Sequence, residues 1–209
     1  MVKTAVLVSG GGTNLQAIID EHKSGKIKNC ELTAVISSNP DAYALERAKN
    51  AGIPTYVVDK AIFPDRSNFT KAMCDKLQDL DISLVVYAGF NFILDPPIVD
   101  AFRNRIINIH PSLIPSFCGA GYYGLRMHRA VLEHGVKLTG ATAHFATEIV
   151  DDGPIILQKS VDVLEGDTPE TLQRRVMEEA EWVLLPQAIS LFCEGRLEVH
   201  GRIVRIRNL

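Results

Sequence analysis

Strand-length apolar runs separated by segments of helical period fill the first half of this 209-residue chain. Residues 2–9, 32–37, 53–58, 84–88 and 106–109 read as strands, and residues 14–24, 43–51, 67–80 and 96–103 as the helices between them. In 14–24 the apolar residues Leu15, Ile18 and Ile19 fall on one helical face, and after 43–51 come Gly52 and Pro54, a usual helix stop. Strands that are apolar throughout, rather than on alternate residues, are buried on both faces. That is the mark of parallel βαβ units. The expected fold is therefore α/β: a doubly wound, mostly parallel open sheet with helices on both faces. In such sheets ligands bind beyond the carboxyl ends of the strands, which singles out the loops after Ser9, Ser37, Ala88 and Ile109.

The last third changes character. Residues 139–146 and 155–163 are strand-like runs joined by the turn Val150-Asp151-Asp152-Gly153-Pro154. A long helix follows, with Thr168 as N-cap and Pro169 in the first turn, where a missing N–H is harmless. It runs past Trp182 to about Phe192, with a bend expected at Pro186, and residues 197–206 close the chain as one or two short strands. No repeat or linker divides residues 1–209, which are expected to form one domain.

Composition narrows the class. The apolar fraction of 46% and charged fraction of 22% are those of a globular protein, and a net charge of -3 points to no overall basic surface for nucleic acid, a local basic patch aside. Cys30, Cys74, Cys118 and Cys193 are widely spaced with no CxxC pair, which reads as reduced thiols. The six histidines contain no HExxH, so no metal site is expected. No segment has the length of a membrane span or a signal peptide. A soluble cytoplasmic protein with no nucleic-acid or membrane partner is expected, as a monomer or a homodimer.

Two segments carry chemistry. Ser9-Gly10-Gly11-Gly12-Thr13-Asn14 joins the first strand to the first helix. Glycines there allow close backbone approach, and free N–H groups at the positive end of a helix dipole attract phosphate. The segment is not a Walker A loop, and Leu15 stands where a dinucleotide fingerprint would place its third glycine. In Asn108-Ile109-His110-Pro111-Ser112, Asn108 and His110 are two apart at a strand end and so share a face. An amide donor beside an imidazole suits acyl transfer, in which an oxyanion is stabilised and protons are moved. Alone, an Asn-x-His is more often a polar strand end. Asp151 would orient the ring and favour its protonated form, although aspartates are ordinary turn residues. Cys118, in a glycine-flanked loop, has no evident base partner and reads as a plain loop cysteine.

Together these stretches resemble the folate-dependent formyltransferases, and within them the phosphoribosylglycinamide formyltransferases. The resemblance rests on Ser9–Ile18, on Asn108-Ile109-His110-Pro111-Ser112-Leu113-Ile114-Pro115, on Thr142-Ala143-His144-Phe145, and on Asp151-x-Gly153-Pro154-Ile155-Ile156-Leu157-Gln158, in that order. It spans nearly the whole chain and implies a Rossmann-like formyltransferase fold, with 1–110 a nucleotide-binding-like half and 111–209 a folate and catalytic half. By the same resemblance Asn108, His110 and Asp151 are the catalytic trio, and His144 supports them. Gly12, Thr13 and Asn14 meet the phosphate end of the ribonucleotide and Glu181 its ribose. Arg66, Asn91, Phe92, Ile93, Leu94 and Asn108 meet the folate. Phe92 stands where many relatives carry a basic residue, the loop 116–124 is longer than in many, and Asp152 replaces a small residue.

The implied reaction moves a formyl group from 10-formyltetrahydrofolate, a co-substrate, to the amine of glycinamide ribonucleotide in purine synthesis, without a metal. The chain is short and acidic for a methionyl-tRNA formyltransferase, and it begins at the first strand, unlike formyltetrahydrofolate hydrolases with an N-terminal regulatory domain. A nucleotide-binding oxidoreductase or a non-catalytic sensor is the reading outside this class, and the incomplete glycine fingerprint opposes both.

Overall fold

Alternation along the first strand, β1 (Val2–Val8), divides the core in two: Val6 and Val8 face one layer of helices, Ala5 and Leu7 the other. The same division recurs in β4 (Leu84–Tyr87), where Val86 and Val85 part to opposite sides, and in β5 (Ile106–His110), where Ile107 and Ile106 do. This is why the strands are apolar throughout. Each such buried Leu, Ile or Val side chain contributes roughly 1.5–3 kcal/mol.

The computed structural model describes residues 1–208. The remaining strands are β2 (Cys30–Ser37), β3 (Thr55–Val57), β6 (Leu138–Phe145), β7 (Ile155–Asp162), β8 (Leu197–His200) and β9 (Ile203–Ile206). One sheet results, in the order β3-β2-β1-β4-β5-β6-β7-β9-β8. Pairing is parallel from β3 to β5, antiparallel for β5–β6, β6–β7 and β8–β9, and parallel for β7–β9. The helices are α1 (Thr13–Lys23), α2 (Ala44–Asn50), α3 (Arg66–Asp79), α4 (Pro96–Ala101), α5 (Gly124–Glu133), α6 (Pro169–Val176) and α7 (Trp182–Cys193). Among the described residues no helix is long and apolar enough to cross a membrane.

Three elements differ from the sequence reading. No element was expected between Ile109 and Thr139, yet α5 lies there. Its N-cap, Tyr123, makes no side-chain cap and Gly124 opens it at φ 52°, so no start signal is written in the sequence. Tertiary burial of Met127 and Val131, one helical turn apart, holds it instead. The first helix begins at Thr13 rather than Asn14, with Gly12 at the cap position at φ 74° and no side-chain cap. The long C-terminal helix begins as expected, with a capping box between Thr168 and Thr171. Its departure from α geometry is a widened π turn, Met177–Glu181, one turn before Pro186. Pro186 has no N–H to give to the preceding turn, and the irregularity is displaced upstream of it.

Chain order reverses between β1 and β4, and the crevice beyond their carboxyl ends is where the sheet can hold a ligand. Ser9 ties its walls together. Its hydroxyl shares a 2.8 Å hydrogen bond with Ser38 and accepts one of 3.0 Å from the N–H of Asn91, joining the loops after β1, β2 and β4.

Candidate active site

The register of β5 against β6 sets Asn108 beside His144 and His110 beside Thr142. Two motifs 34 residues apart therefore become cross-strand neighbours. The loop after β5 is then locked from below. The hydroxyl of Thr142 donates to the carbonyl of Ser112 at 2.7 Å and accepts from the N–H of Ile114 at 3.1 Å. Gln158 Nε2 donates both to that hydroxyl and to the carbonyl of Ile114, at 3.0 Å each. These buried bonds explain the polar residues within the apolar strands β6 and β7.

Asp151 arrives from the turn between β6 and β7. Gly153 makes the turn possible, since a Cβ there would lie 1.7 Å from the carbonyl oxygen of Phe145. Asp151 itself adopts φ 54°, a left-handed conformation that Asp tolerates better than most residues. Its carboxylate points inward, accepting from the N–H of Gly119 at 2.9 Å and standing 3.4 Å from His110 Nδ1 and 3.7 Å from His144 Nε2. Asp152 turns the other way and makes a two-pronged pair with Arg202, at 2.9 Å to each oxygen. The two adjacent aspartates are thereby separated into an inward and an outward role.

Asn108 Nδ2 lies 3.1 Å from His144 Nε2 and 3.5 Å from Asp151 Oδ1. His144 Nδ1 sits 3.0 Å from the carbonyl of Phe145, which assigns the ring proton to Nδ1 and leaves Nε2 to accept from Asn108. His144 thus fixes which way the Asn108 amide faces. His110 Nε2 lies 2.9 Å from the carbonyl of Phe117, so both its ring nitrogens face acceptors. Burial pushes the His110 imidazole below its ordinary value; Asp151 and the Phe117 carbonyl pull it up, but not enough to offset burial. The expectation that Asp151 favours the protonated ring therefore holds for that contact and not for the net, and the resting ring is neutral near pH 7. Burial on its own would raise Asp151, but the neighbouring His144 and His110 rings and the Gly119 N–H, each of which favours the carboxylate, together hold it below the usual range.

These side chains line a cavity of about 650 Å³, a size that suits small molecules. The loop after β4 forms one wall, from Phe90 to Leu94, and the turn from Ala146 to Asp151 faces into the same space. Phe92 packs edge-on to Phe69 and Phe90, with ring centres 5.6 and 6.0 Å away, and extends the second core toward the cavity. Asn14 and Glu181 also line the cavity. Asn14 Nδ2 donates to Glu181 Oε2 at 2.8 Å. Burial raises the Glu181 carboxyl to about 7, against the hydrogen bond from Asn14.

The remaining expected contacts lie outside this cavity. Of the glycine loop only Asn14 reaches it, while Thr13 is exposed. Gly12 presses on α2, where an added Cβ would fall 2.6 Å from that of Ala44. Among the described residues no partner takes the backbone N–H groups of Gly11, Gly12 or Thr13. Arg66, at the start of α3, is exposed and pairs with Asp95 at the far end of the β4 loop. Cys118 donates to the carbonyl of Pro115. Burial and the nearby Asp151 and Asp152 push its thiol up, the opposite of what a nucleophile needs.

Sequence reasoning missed four residues at the site. Arg47 donates to the carbonyl of Gly11 at 2.8 Å and to Gln16 Oε1 at 3.1 Å, bracing the glycine loop with a cation. Its only signal was a basic residue in the helix after β2. His128, Gln173 and Met177 line the cavity from α5, α6 and the π turn. Nothing at their spacing marked them, because the fold alone brings those helices over the sheet.

Comparison with known proteins decides among the acyl-transfer readings. The formyl transferase family model matches residues 2–189. The chain belongs to the formyl transferase family. A phosphoribosylglycinamide formyltransferase of Escherichia coli is 42% identical over 195 residues, covering 93% of this chain and 89% of that protein. A trifunctional purine biosynthetic protein adenosine-3 of Gallus gallus is 43% identical over 95% of this chain, and the chain spans only 19% of that much longer protein. The crystal structure of glycinamide ribonucleotide transformylase 1 from Symbiobacterium toebii is 48% identical, with a TM-score of 0.93, covering 100% of this chain and 95% of that one. The fold of this formyl transferase is thus the doubly wound, mostly parallel sheet expected from its sequence.

Proposed function

We infer that this chain is a phosphoribosylglycinamide formyltransferase, which moves a formyl group from 10-formyltetrahydrofolate to the amine of glycinamide ribonucleotide in purine biosynthesis. The observation that carries the chemistry is the convergence of Asn108, His110 and Asp151 on one cavity wall, with no nucleophilic side chain between them. Direct attack by the substrate amine needs no covalent enzyme intermediate. It needs an amide donor, an imidazole and a carboxylate where charge develops.

The neutral resting state of His110 shapes the sequence of steps. The incoming amine arrives mostly as an ammonium, and His110 takes its proton, giving a nucleophilic amine and an imidazolium. Asp151 and the Phe117 carbonyl, both facing ring nitrogens, stabilise that imidazolium once formed. The amine nitrogen then bonds to the formyl carbon. Asn108 Nδ2 and the imidazolium donate to the oxyanion, the 3.4 Å contact to Asp151 being loose enough for that N–H to turn toward it. Asp151 holds a water that carries a proton from the attacking nitrogen to the folate nitrogen; the oxyanion collapses to the new amide carbonyl as the bond from that nitrogen to the formyl carbon breaks, and the imidazolium releases its proton to solvent, restoring the neutral ring. Much of the remaining acceleration comes from holding both substrates together.

The folate is read as lying between the Asn91, Phe92, Ile93 and Leu94 wall and the 146–151 turn, with Arg66 toward its anionic tail. The ribonucleotide is read with its ribose at Glu181 and Asn14 and its phosphate at Gly12 and Thr13, near the Arg47 cation. Purified protein supplied with both substrates should yield formylated ribonucleotide and tetrahydrofolate by mass spectrometry. Tetrahydrofolate and free formate without formylated product would instead make the chain a hydrolase.

A further inference from the structure

His110 Nε2 meets the carbonyl of Phe117 at 2.9 Å, the shorter of the two polar contacts of its ring. That carbonyl is the pivot about which Nδ1 swings toward or away from Asp151. Phe117 stands at φ 50°, a left-handed conformation that a bulky residue adopts only where its surroundings impose it. Its ring packs edge-on to Tyr122 and His134, with centres 6.3 and 5.2 Å away, which holds the side chain but not the peptide. The peptide before it, between Ser116 and Phe117, is held at one point. Its N–H makes no hydrogen bond among the described residues, and its carbonyl accepts one of 2.6 Å from the hydroxyl of Ser112. Ser116 is exposed, so without that hydroxyl its carbonyl would be free to turn to water.

Ser112 is itself anchored. It is fully buried, and its carbonyl accepts at 2.7 Å from Thr142, the cross-strand neighbour of His110. A path of hydrogen bonds thus leaves β6 at Thr142, passes through both ends of Ser112 to the peptide of Phe117, and returns to β5 at His110. We propose that Ser112 is a positioning residue for formyl transfer, its hydroxyl setting the Phe117 carbonyl against His110 Nε2 and so fixing where the ring stands. Ser112 does not line the cavity, so it acts through that ring and not on the substrates. This rests on the reading that His110 takes the proton of the amine and then stabilises the oxyanion. With the carbonyl in place, the imidazolium keeps an acceptor at Nε2 while Nδ1 turns from Asp151 to the oxyanion. Without it, the charged ring loses one of its two acceptors and can rotate away from the formyl carbon.

The test compares the full chain with Ser112→Ala, in steady-state assays with both substrates and by NMR of the histidine rings. The His110 signals are assigned by their loss in His110→Asn. The titratable groups facing His110 are Asp151 from the turn after β6, His144 on β6 and His128 on α5, and Ser112→Ala alters none of them. In Ser112→Ala, kcat should fall about 10- to 100-fold, less than a full loss of acid–base assistance, with KM for both substrates within about threefold. The titration midpoint of His110 should move down, because the Phe117 carbonyl favours the protonated ring. Ser112→Cys, which fills the same space with a weaker donor, should lie between the two proteins on both measures. An unchanged kcat or an unchanged His110 midpoint in Ser112→Ala overturns the proposal. So does a rise in both KM values with a lowered Tm and His110 titrating as before, which marks a structural role. Should Ser112→Ala not fold, Ser112→Cys decides alone: the same two changes in smaller degree uphold the proposal, and their absence overturns it. If His110→Asn retains full activity, the reading of His110 falls and this proposal with it. If His110→Asn is inactive while Ser112→Ala matches the unsubstituted protein, only the role of Ser112 falls.

Discussion

Oδ2 of Asp151 stands 3.4 Å from Nδ1 of His110 and accepts a 2.9 Å hydrogen bond from the N–H of Gly119. One carboxylate thereby joins the loop after β5 to the turn after β6 at the reacting end of the cavity. Asp151→Asn keeps the size and removes the charge that would hold a transient imidazolium. The rate should fall by about 10²–10⁴ in single-turnover assays, the usual range for acid–base assistance. Both substrates should bind within a few-fold of their original affinity, since the lost interaction strengthens only in the transition state.

Asp152 supplies the control. Its carboxylate lies outside the cavity, in an exposed pair with Arg202. Exposed pairs contribute about 0–1 kcal/mol. Asp152→Asn should leave the turnover rate nearly unchanged and move Tm slightly. A larger kinetic loss in Asp152→Asn than in Asp151→Asn would mean that the roles of the two aspartates are reversed.

The glycine loop separates stability from binding. Gly12 sits at φ 74° with Ala44 in the path of any Cβ, whereas a Cβ on Gly11 would meet nothing within 4 Å. Left-handed strain and crowding together should cost Gly12→Ala about 2–4 kcal/mol in urea unfolding. Gly11→Ala should be nearly neutral in the same experiment. If phosphate rests on this loop, Gly11→Ala should still raise KM for the ribonucleotide, while KM for folate stays put.

Arg66 is held against the β4 loop through Asp95, on the side where Asn91 to Leu94 form the cavity wall. Arg66→Ala should weaken folate binding by roughly tenfold, the equivalent of about 1.4 kcal/mol, and leave ribonucleotide affinity unchanged. The effect should shrink as salt is added, because an exposed charge is screened. Calorimetry showing the loss on the ribonucleotide instead would remove Arg66 from the folate side.

What the sequence displayed, and what it hid, follows from the range of the forces involved. Apolar runs such as Val6-Leu7-Val8 were legible because burial on both faces leaves no polar residue in the run. The Asn108 and His110 pair was legible because strand period is local. The capping box at Thr168 was legible for the same reason. Helix α5 was not, since its start carries no capping residue and burial of Met127 and Val131 depends on partners far away in sequence. The neutral resting state of His110 was also hidden: the sequence displays the Asp151 charge, but the depth of burial that outweighs it emerges only in the folded chain. His128 was invisible for a related reason, because its place at the cavity is a property of its surroundings.

Glu181 carries the pH dependence that can be followed without substrate. It lies in the π turn, buried, with Asn14 Nδ2 donating to one of its oxygens. Burial lifts its carboxyl from an ordinary 4.5 to about 7, and the Asn14 bond only partly opposes this. A carboxyl raised in the folded state binds its proton more tightly there than in the unfolded chain. Its contribution to stability is therefore complete below about pH 4.5 and is lost as pH rises to about 7. The difference corresponds to about 3 kcal/mol at full ionisation. Glu181→Gln keeps an acceptor for Asn14 and cannot ionise, so its stability should lack this decline. Urea unfolding from pH 4.5 to 8 should show the unsubstituted protein losing stability relative to Glu181→Gln across that window, with Glu181→Gln the more stable at pH 8. Binding should run the other way, because two ribose hydroxyls are held best by a carboxylate that accepts from both. Ribonucleotide affinity of the unsubstituted protein should therefore strengthen as pH rises through 7, and in Glu181→Gln it should be weaker and flat. Parallel stability curves for the two proteins between pH 4.5 and 8 would show that Glu181 is already ionised in its pocket, and the carboxylate would then need a cationic partner beyond Asn14.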